Sequence, residues 1–203
     1  MFKPEIRILG FDDGAFDSTR RGKREKLTAK NETVPVIGII FRGGNFLDGA
    51  LRTDITVDGL DSTDKLIELI NSTRHKQQLR VIMIDGITLG GFNIVDIHKL
   101  HKRTGLPVIV VNRKMPDLQR VQKALKNFED YKKRWELIKR AGKIRNCSLK
   151  EGKKIYYQSV GLDDEETEEI LALSSTHSFI PEPLRVAHLI ATAVVKGESF
   201  GRA

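Results

Sequence analysis

Acidic residues follow two apolar stretches of the sequence, at the points where each stretch leads into a glycine. Asp12 and Asp13 come after a run of aliphatic residues, and Asp85 ends a second, shorter apolar run. If the two runs are neighbouring strands, these carboxylates meet at one edge of a sheet. Carboxylate oxygens suit Mg²⁺ or Mn²⁺, ions that activate water and stabilise charge on a phosphodiester. The alternative is that the Asp-Gly pairs simply form turns, which both residue types favour.

Two groups near the same predicted edge are candidates for phosphate binding. Arg113 and Lys114 follow another apolar run, and their cations would contact a phosphate unless they only form a solvated loop. Gly90 and Gly91 lie in a turn predicted to open a helix, where free amides can bind an anion. This turn matches neither the dinucleotide-binding fingerprint nor the P-loop, and close packing of a helix on the sheet explains its glycines equally well.

His188 and a basic, aromatic-containing region complete the candidates. His188 shares a face of the predicted last helix with Leu184 and Ala191, so it is either a hydrogen-bonded core residue or a ligand. The region 113–145 combines many cations with Tyr131 and Trp135. These aromatic side chains either stack on a nucleic-acid base or pack inward while the cations stay solvated.

The hydrophobic pattern predicts an α/β fold that brings these residues together. Three strands joined by a hairpin form an antiparallel meander, and later strands alternate with helices as parallel crossovers. A polar, basic stretch at 17–33 is predicted to be an exposed loop. Strands are predicted at 5–11, 34–41, 46–57, 80–85, 108–111 and 153–157, and helices from 61, around 94–104, over 116–143 (one bent or two), from 163 and over 183–196.

Composition limits the class of protein. The 203 residues, 39% of them hydrophobic, predict one domain over 1–203. No signal peptide and no run long enough to cross a bilayer is visible, and a single cysteine excludes an internal disulfide and a cysteine-built zinc site. We therefore expect a cytoplasmic protein with no membrane partner. The net charge of +8 favours nucleic acid as a partner, although heat-adapted proteins carry similarly charged surfaces.

Several segments resemble endonuclease V. Residues 81–86 (VIMIDG) and 105–114 (GLPVIVVNRK) resemble its central region, residues 9–12 (LGFD) its first-strand aspartate, and residues 185–188 (RVAH) its last motif. With FDDG at 11–14, RGG at 42–44 and FLDG at 46–49, the chain is identified over nearly its whole length as a member of an uncharacterised, mainly archaeal family related to endonuclease V.

The resemblance implies a ribonuclease-H-like mixed sheet flanked by helices and a metal-dependent nuclease ancestry directed at deaminated bases. Asp12 and Asp85 match metal-binding aspartates, and Arg113 or Lys114 matches a basic active-site residue. The sequence departs from endonuclease V in three ways. The glutamate after the third strand has no plain counterpart, Asp58 and Asp61 being the nearest acids. His188 stands where that enzyme has an aspartate, and its tyrosine-containing wedge motif is not evident.

Three function classes follow. The leading hypothesis is a Mg²⁺- or Mn²⁺-dependent nuclease or phosphodiesterase acting on DNA or RNA. In this hypothesis Asp12, Asp85 and one of Asp13, Asp58 or Asp61 hold the metal, while His188 is a ligand or a proton carrier. The first alternative is a non-catalytic nucleic-acid-binding protein that kept the fold and lost part of the site. The second is a small-molecule nucleotide enzyme that uses the turn at 86–91.

Overall fold

A seven-stranded mixed sheet forms the centre of the protein, in a computed structural model that describes residues 2–16, 32–149 and 152–199. Residues 17–31 of the predicted exposed loop lie outside the described residues. The strands lie in the order β3-β2-β1-β4-β7-β9-β8. Their bounds are β1 Arg7–Asp13, β2 Thr33–Arg42, β3 Phe46–Thr56, β4 Val81–Asp85, β7 Val108–Asn112, β8 Arg145–Ser148 and β9 Lys154–Val160, with a separate two-stranded hairpin of β5 Thr88–Leu89 and β6 Asn93–Ile94.

The strand directions confirm the predicted antiparallel meander and parallel crossovers. β1 pairs antiparallel with β2, and β2 with β3. β4 lies parallel to β1 and to β7. β9 then adds antiparallel to β7, with β8 as the outermost strand on that side. The sequence analysis did not predict β8, because its four residues, Arg145–Ser148, are mostly polar and give no apolar run.

Helices cover both faces of this sheet. Their bounds are α1 Ser62–Ser72, α2 Ile97–Thr104, α3 Leu118–Leu125, α4 Tyr131–Arg140, α5 Asp164–Ser174 and α6 Glu182–Lys196, with one 3₁₀ turn at Lys76–Gln78. The stretch predicted as helical over 116–143 is therefore two helices. None of the helices in the described ranges is long and apolar enough to span a membrane.

Side chains alternate between the two faces of the sheet along each strand, so the core has a buried cluster on each face. Phe11 and Ile84 share a buried cluster with α1 and α2 residues such as Leu66 and Leu100. Met83, on the other face, packs with α5 residues and with Leu184 of α6, as expected when successive strand residues alternate sides. A further cluster joins α6 to β2. Strands covered on both faces explain why residues 81–84 and 108–111 are apolar throughout.

The turn at 86–91 differs from its prediction. It forms the β5–β6 hairpin rather than the beginning of a helix, and α2 begins only at Ile97, with Asp96 as its N-cap. Gly90 and Gly91 therefore lie at a hairpin tip, where their positive φ angles of 52° and 91° suit glycine. The phosphate-binding prediction assumed a helix N-terminus at this position, and that assumption is wrong.

Gly10 sets the distance between β1 and α6. A Cβ atom added at Gly10 would lie 2.6 Å from Pro183 Cβ and 2.9 Å from the Leu184 backbone nitrogen. Glycine is therefore required for α6 to approach β1 at this point. The same approach brings His188, one helical turn after Leu184, towards the end of β1.

We expect Gly10→Ala to push α6 away from the sheet and to lower the free energy of unfolding by roughly 1–3 kcal/mol. Chemical denaturation with urea measures the change. Gly49→Ala on β3 is the matched control, because its nearest neighbour, His75 Nε2, lies at an ordinary 3.4 Å. Equal stability of the two variants would contradict the proposed packing role of Gly10.

Candidate functional site

The register between β1 and β4 places Asp12 beside Asp85. Phe11 pairs with Ile84 in this parallel ladder, so the next residue of each strand is an aspartate at the same edge of the sheet. Paired residues project from the same face, here the α6 side. The two side chains are only 9% and 18% exposed. Two carboxylates are thus held close together and largely shielded from water.

His188 approaches this pair from α6. Its Nδ1 lies 2.7 Å from Asp12 Oδ2, and since an ionised carboxylate only accepts hydrogen bonds, Nδ1 is the donor. That hydrogen bond raises the pKa of His188, against a smaller opposing effect of burial. His188 is hydrogen-bonded, as the core-residue interpretation expects, but its side chain is 38% exposed. Its Nε2 is the nitrogen left for other chemistry.

Asp13 points to the opposite face of β1, towards the β5–β6 hairpin. Its Oδ2 accepts a hydrogen bond of 3.0 Å from the Gly90 backbone N–H, and its own backbone N–H donates to Asp12 Oδ1 at 2.9 Å. The Gly90 amide, predicted to bind phosphate, is therefore already engaged by Asp13. In this way the hairpin fixes the position of a third carboxylate next to the first two.

The electrostatics of the carboxylates show that they are close together. Burial, followed by the charge of Asp12, raises the pKa of Asp13 to about 7. The same two causes raise the pKa of Asp85 to about 6, although Arg113 counteracts them. Buried like charges favour the protonated form. Asp13 and Asp85 therefore take up protons closer to neutral pH than exposed carboxylates do.

The end of β7 supplies the basic side of the site. Arg113 Nη2 lies 3.3 Å from Asp85 Oδ2, a long and partly exposed contact. Lys114, the next residue, is exposed, and the described part of the chain offers it no ion-pair partner. Arg113 thus interacts with the acidic cluster, while Lys114 faces the solvent beside it.

Asp58 and Asp61 have structural contacts in the loop before α1. Asp61 accepts hydrogen bonds from the Thr56 backbone N–H, from its hydroxyl and from Asn93 Nδ2, at 2.6–3.2 Å. Asp58, with a positive φ of 54°, accepts from the Phe92 backbone N–H at 2.7 Å. Both acids connect this loop to the β5–β6 hairpin, and Asp61 as a metal ligand stays a prediction.

The donor chemistry of the cluster fits a hard divalent cation. Asp12, Asp13 and Asp85 offer carboxylate oxygens. The pKa values of Asp13, about 7, and of Asp85, about 6, mean that a cation can displace the protons of these two groups with little cost. Within the described ranges, no three His, Cys, Asp or Glu side chains already surround one point. Each carboxylate instead faces its own partner, namely His188, Gly90 or Arg113, so metal binding requires a rearrangement of these contacts.

A pocket of about 360 Å³ is lined in part by residues next to the cluster in sequence. Gly86, which follows Asp85, and Asn112, which precedes Arg113, both line it. Its walls are mostly apolar, and Asn112 and the buried Gln158 provide amide groups. The apolar and aromatic lining residues are Ile87, Phe92, Pro116, Leu118, Val121, Trp135, Ile138 and Ile144.

The sequence analysis missed this pocket because its walls come from separate elements. Trp135 and Ile138 of α4 pack with Phe92 and Leu125, which agrees with the predicted inward packing of the aromatic residues. Trp135 also lines the pocket, and its stacking on a nucleic-acid base stays a prediction. Gln158, on β9, lies far from the other residues in sequence, and no local pattern marks it.

The comparisons with known proteins decide the family. The sequence profile of the family described as endonuclease dU matches residues 4–195. The chain belongs to the endonuclease dU family. A UPF0215 protein of Methanosarcina mazei is 50% identical over 202 residues, covering 99% of this chain and 96% of that protein. A UPF0215 protein of Pyrococcus furiosus is 48% identical over 198 residues, covering 97% and 96%. The predicted membership in an archaeal family related to endonuclease V is confirmed.

Solved structures confirm the ribonuclease-H-like fold of this endonuclease dU family member. A protein of unknown function from Archaeoglobus fulgidus is similar, with a TM-score of 0.79, 37% identity and coverage of 93% of this chain and 97% of that one. Ciona intestinalis endonuclease V, in complex with a DNA containing an inosine followed by a ribo-adenosine, has a TM-score of 0.60, 13% identity and coverage of 94% and 86%. At that identity the likeness shows the fold alone.

The raised pKa values predict how stability depends on pH without metal. A carboxyl whose folded pKa lies above its unfolded value of 3.8 stabilises the fold at low pH, and this contribution is lost as pH rises through the folded pKa. For Asp13 and Asp85 that window extends from about pH 4 to about 7. We expect the melting temperature in EDTA to fall between pH 5 and pH 8, corresponding to a few kcal/mol at about 1.4 kcal/mol per pKa unit.

Asp13→Asn should weaken this pH dependence and stabilise the metal-free protein at pH 8, since an amide oxygen can still accept from Gly90. Asp164→Asn, at an exposed Asp164–Arg145 pair, is the control. A wild-type melting temperature that rises over the same pH range would contradict the like-charge cluster.

Proposed function

We propose that the protein is a Mg²⁺- or Mn²⁺-dependent endonuclease that cleaves a phosphodiester bond near a deaminated base. The observation that carries the proposal is the β1–β4 register, which sets Asp12 and Asp85 side by side with His188 and Arg113 against them. Oxygen donors next to a histidine and a cation are the groups that metal-assisted phosphodiester hydrolysis uses. The family description, endonuclease dU, points to the same activity.

Asp12, Asp13 and Asp85 would hold the metal, which would supply charge neutralisation and a more acidic bound water. Arg113 would leave Asp85 when a phosphate arrives and then contact the phosphate oxygens, because its contact with Asp85 is long at 3.3 Å. Lys114 would bind a neighbouring phosphate from its exposed position.

His188 would carry a proton to or from the reacting oxygens. The hydrogen bond from Nδ1 to Asp12 fixes the tautomer and the ring orientation, so that Nε2 gives or takes the proton. A raised pKa keeps a larger share of the imidazole protonated near neutral pH. This arrangement favours a general acid, which protonates the leaving oxygen.

The pocket beside Asp85 would receive the base. A base in a duplex must leave the stack before an enzyme can read its edges. The apolar walls suit its ring, and the amide groups of Asn112 and Gln158 can hydrogen-bond its polar edge. Deoxyuridine, whose base is uracil, is the first deaminated nucleoside to test because the family description contains the abbreviation dU. Inosine comes second, because it is present in the DNA bound by the Ciona endonuclease V.

We expect labelled DNA containing one deoxyuridine or one inosine to be cleaved with Mn²⁺ or Mg²⁺ and to stay intact in EDTA. Asp85→Asn should lower the cleavage rate by roughly 100-fold or more while preserving binding, because it removes a metal ligand. Gel analysis of end-labelled strands measures the rate. Asp164→Asn on α5 is the matched control and should cleave like the wild type.

Equal cleavage by Asp85→Asn and the wild type would overturn the assigned site. Salt-sensitive binding without metal-dependent cleavage of any DNA or RNA substrate would instead identify a non-catalytic nucleic-acid-binding protein.

Lys114→Ala should weaken nucleic-acid binding to a similar degree for every sequence. Loss of one phosphate contact should reduce the slope of log K against log salt by about 1. Fluorescence anisotropy between 50 and 200 mM salt checks this, with Lys65→Ala on α1 as the control. An unchanged slope for Lys114→Ala would place the phosphate backbone elsewhere.

A further inference from the structure

Arg134 of α4 is a buried cation outside the acidic cluster. Its side chain is only 6% exposed, and its guanidinium lies 2.6 Å from the Asp130 carboxylate and 4.5 Å from the centre of the Phe128 ring. Arginine is rarely buried so completely, because removing a charge from water is costly. An apolar side chain of similar volume often stabilises such a position equally well. Packing of α4 alone therefore does not account for an arginine here.

The other hydrogen bonds of Arg134 reach backbone carbonyls on two separate segments. Its Nη1 donates to the Phe92 carbonyl oxygen at 2.6 Å and to the Gly59 carbonyl oxygen at 3.0 Å. Phe92 lies in the turn between β5 and β6, and Gly59 lies in the loop before α1. A guanidinium presents five N–H donors in one rigid plane, so a single side chain can hold both segments. Arg134 therefore joins α4 to the hairpin turn and to this loop.

The hairpin turn that Arg134 holds also contacts the acidic cluster. The Asp58 backbone N–H donates to the Gly90 carbonyl oxygen at 2.7 Å, and the Phe92 N–H donates to the Asp58 carboxylate at 2.7 Å. These bonds fasten the turn to the loop before α1. The Gly90 N–H of the same turn donates to Asp13 Oδ2 at 3.0 Å. A continuous series of contacts thus leads from Arg134 through Phe92 and Gly90 to Asp13.

We propose that Arg134 is a positioning residue for the acidic cluster. It holds the turn of the β5–β6 hairpin in the place from which the Gly90 amide binds Asp13. Removing Arg134 deprives the Phe92 carbonyl of a donor, and an unsatisfied buried carbonyl favours movement of the turn towards water. The consequence for metal binding rests on the proposed function, in which Asp13 is a ligand. The effect on the turn itself requires neither metal nor substrate.

The first test measures opening of the hairpin turn in the metal-free protein by amide hydrogen exchange, followed by NMR. We expect Arg134→Met to speed exchange of the Gly90 amide by roughly tenfold or more relative to the buried amides of β4 and β7, because the turn opens locally. Arg140→Met is the matched control on the same helix. Arg140 pairs with Asp96, the N-cap of α2, at 2.9 Å, so its loss should leave the relative exchange of Gly90 unchanged.

Arg134→Lys keeps the test decisive if the methionine variant is too unstable to study. Lysine retains a charge beside Asp130, but a single ammonium cannot reproduce the planar fork that holds two carbonyls. We expect it to speed the relative exchange of the Gly90 amide by roughly threefold, less than Arg134→Met does. Equal acceleration of Gly90 and of the β4 and β7 amides would assign Arg134 to general stability and overturn the proposal, as would unchanged exchange of Gly90.

The second test asks whether Arg134 affects metal binding through Asp13. Mn²⁺ affinity is measured by electron paramagnetic resonance for Arg134→Met, for Asp13→Ala and for the double variant. Arg134→Met should weaken Mn²⁺ binding by about tenfold in the otherwise wild-type protein. The same change should cost less than about twofold when Asp13 is already alanine, because no carboxylate remains for Gly90 to hold. An equal loss in both backgrounds would overturn the proposal.

The two tests separate this inference from the nuclease proposal. If the wild type cleaves DNA with Mn²⁺ but Arg134→Met changes neither Gly90 exchange nor Mn²⁺ affinity, the positioning role is overturned and the nuclease stands. If the wild type neither binds Mn²⁺ nor cleaves, the nuclease proposal fails. The relative exchange of Gly90 then decides alone whether Arg134 positions the turn.

Discussion

Parallel pairing of β1 with β4 is the constraint on which the rest of the structure depends. Asp12 is the penultimate residue of β1 and Asp85 is the last residue of β4, and the register places these two aspartates together at one edge of the sheet. The buried strands cannot slip by one residue without turning apolar side chains out of the core. The hydrophobic core of the sheet therefore holds the two aspartates together despite the repulsion between their charges. Sites that hold like charges against their repulsion are typically functional.

The remaining elements compensate this repulsion from three directions. α6 approaches β1 closely at Gly10 and brings His188 to Asp12. In the β5–β6 hairpin, the Gly90 backbone N–H donates a hydrogen bond to Asp13. Arg113, which directly follows β7, lies against Asp85. Only His188 lies at short range as a possible counter-charge, because the Gly90 amide is uncharged and Arg113 lies 3.3 Å from Asp85. Three carboxylates therefore outnumber the nearby cations. Two of these elements also contribute to the pocket, the β5–β6 hairpin through Thr88 and β7 through Asn112.

Much of the fold follows from the sequence, because apolar periodicity records which faces of each strand are covered. The meander, the two parallel crossovers and the helices α1 and α2 show this clearly. Prediction failed where packing is long-range or the pattern is short. β8 has only one buried residue, Cys147, and the hairpin at 88–94 consists of two-residue strands. Asp12, Asp85, Arg113 and His188 could be named as a site from strand ends and resemblance. The contacts of Asp61 could not be predicted, because its partner Asn93 lies 32 residues away. No local sequence pattern marks Gln158 as part of the pocket wall.

The central claim is that Asp12 and Asp85 jointly hold a divalent cation, and Mn²⁺ binding measured directly by electron paramagnetic resonance tests it. Titration of the wild-type protein at pH 7.5 should show bound Mn²⁺ that competes with Mg²⁺. Asp12→Asn and Asp85→Asn should each weaken that binding by roughly tenfold or more, whereas Asp164→Asn should leave it unchanged. Mn²⁺ bound equally well by all three variants and the wild type would show that the paired carboxylates are not a metal site, and the account would be wrong.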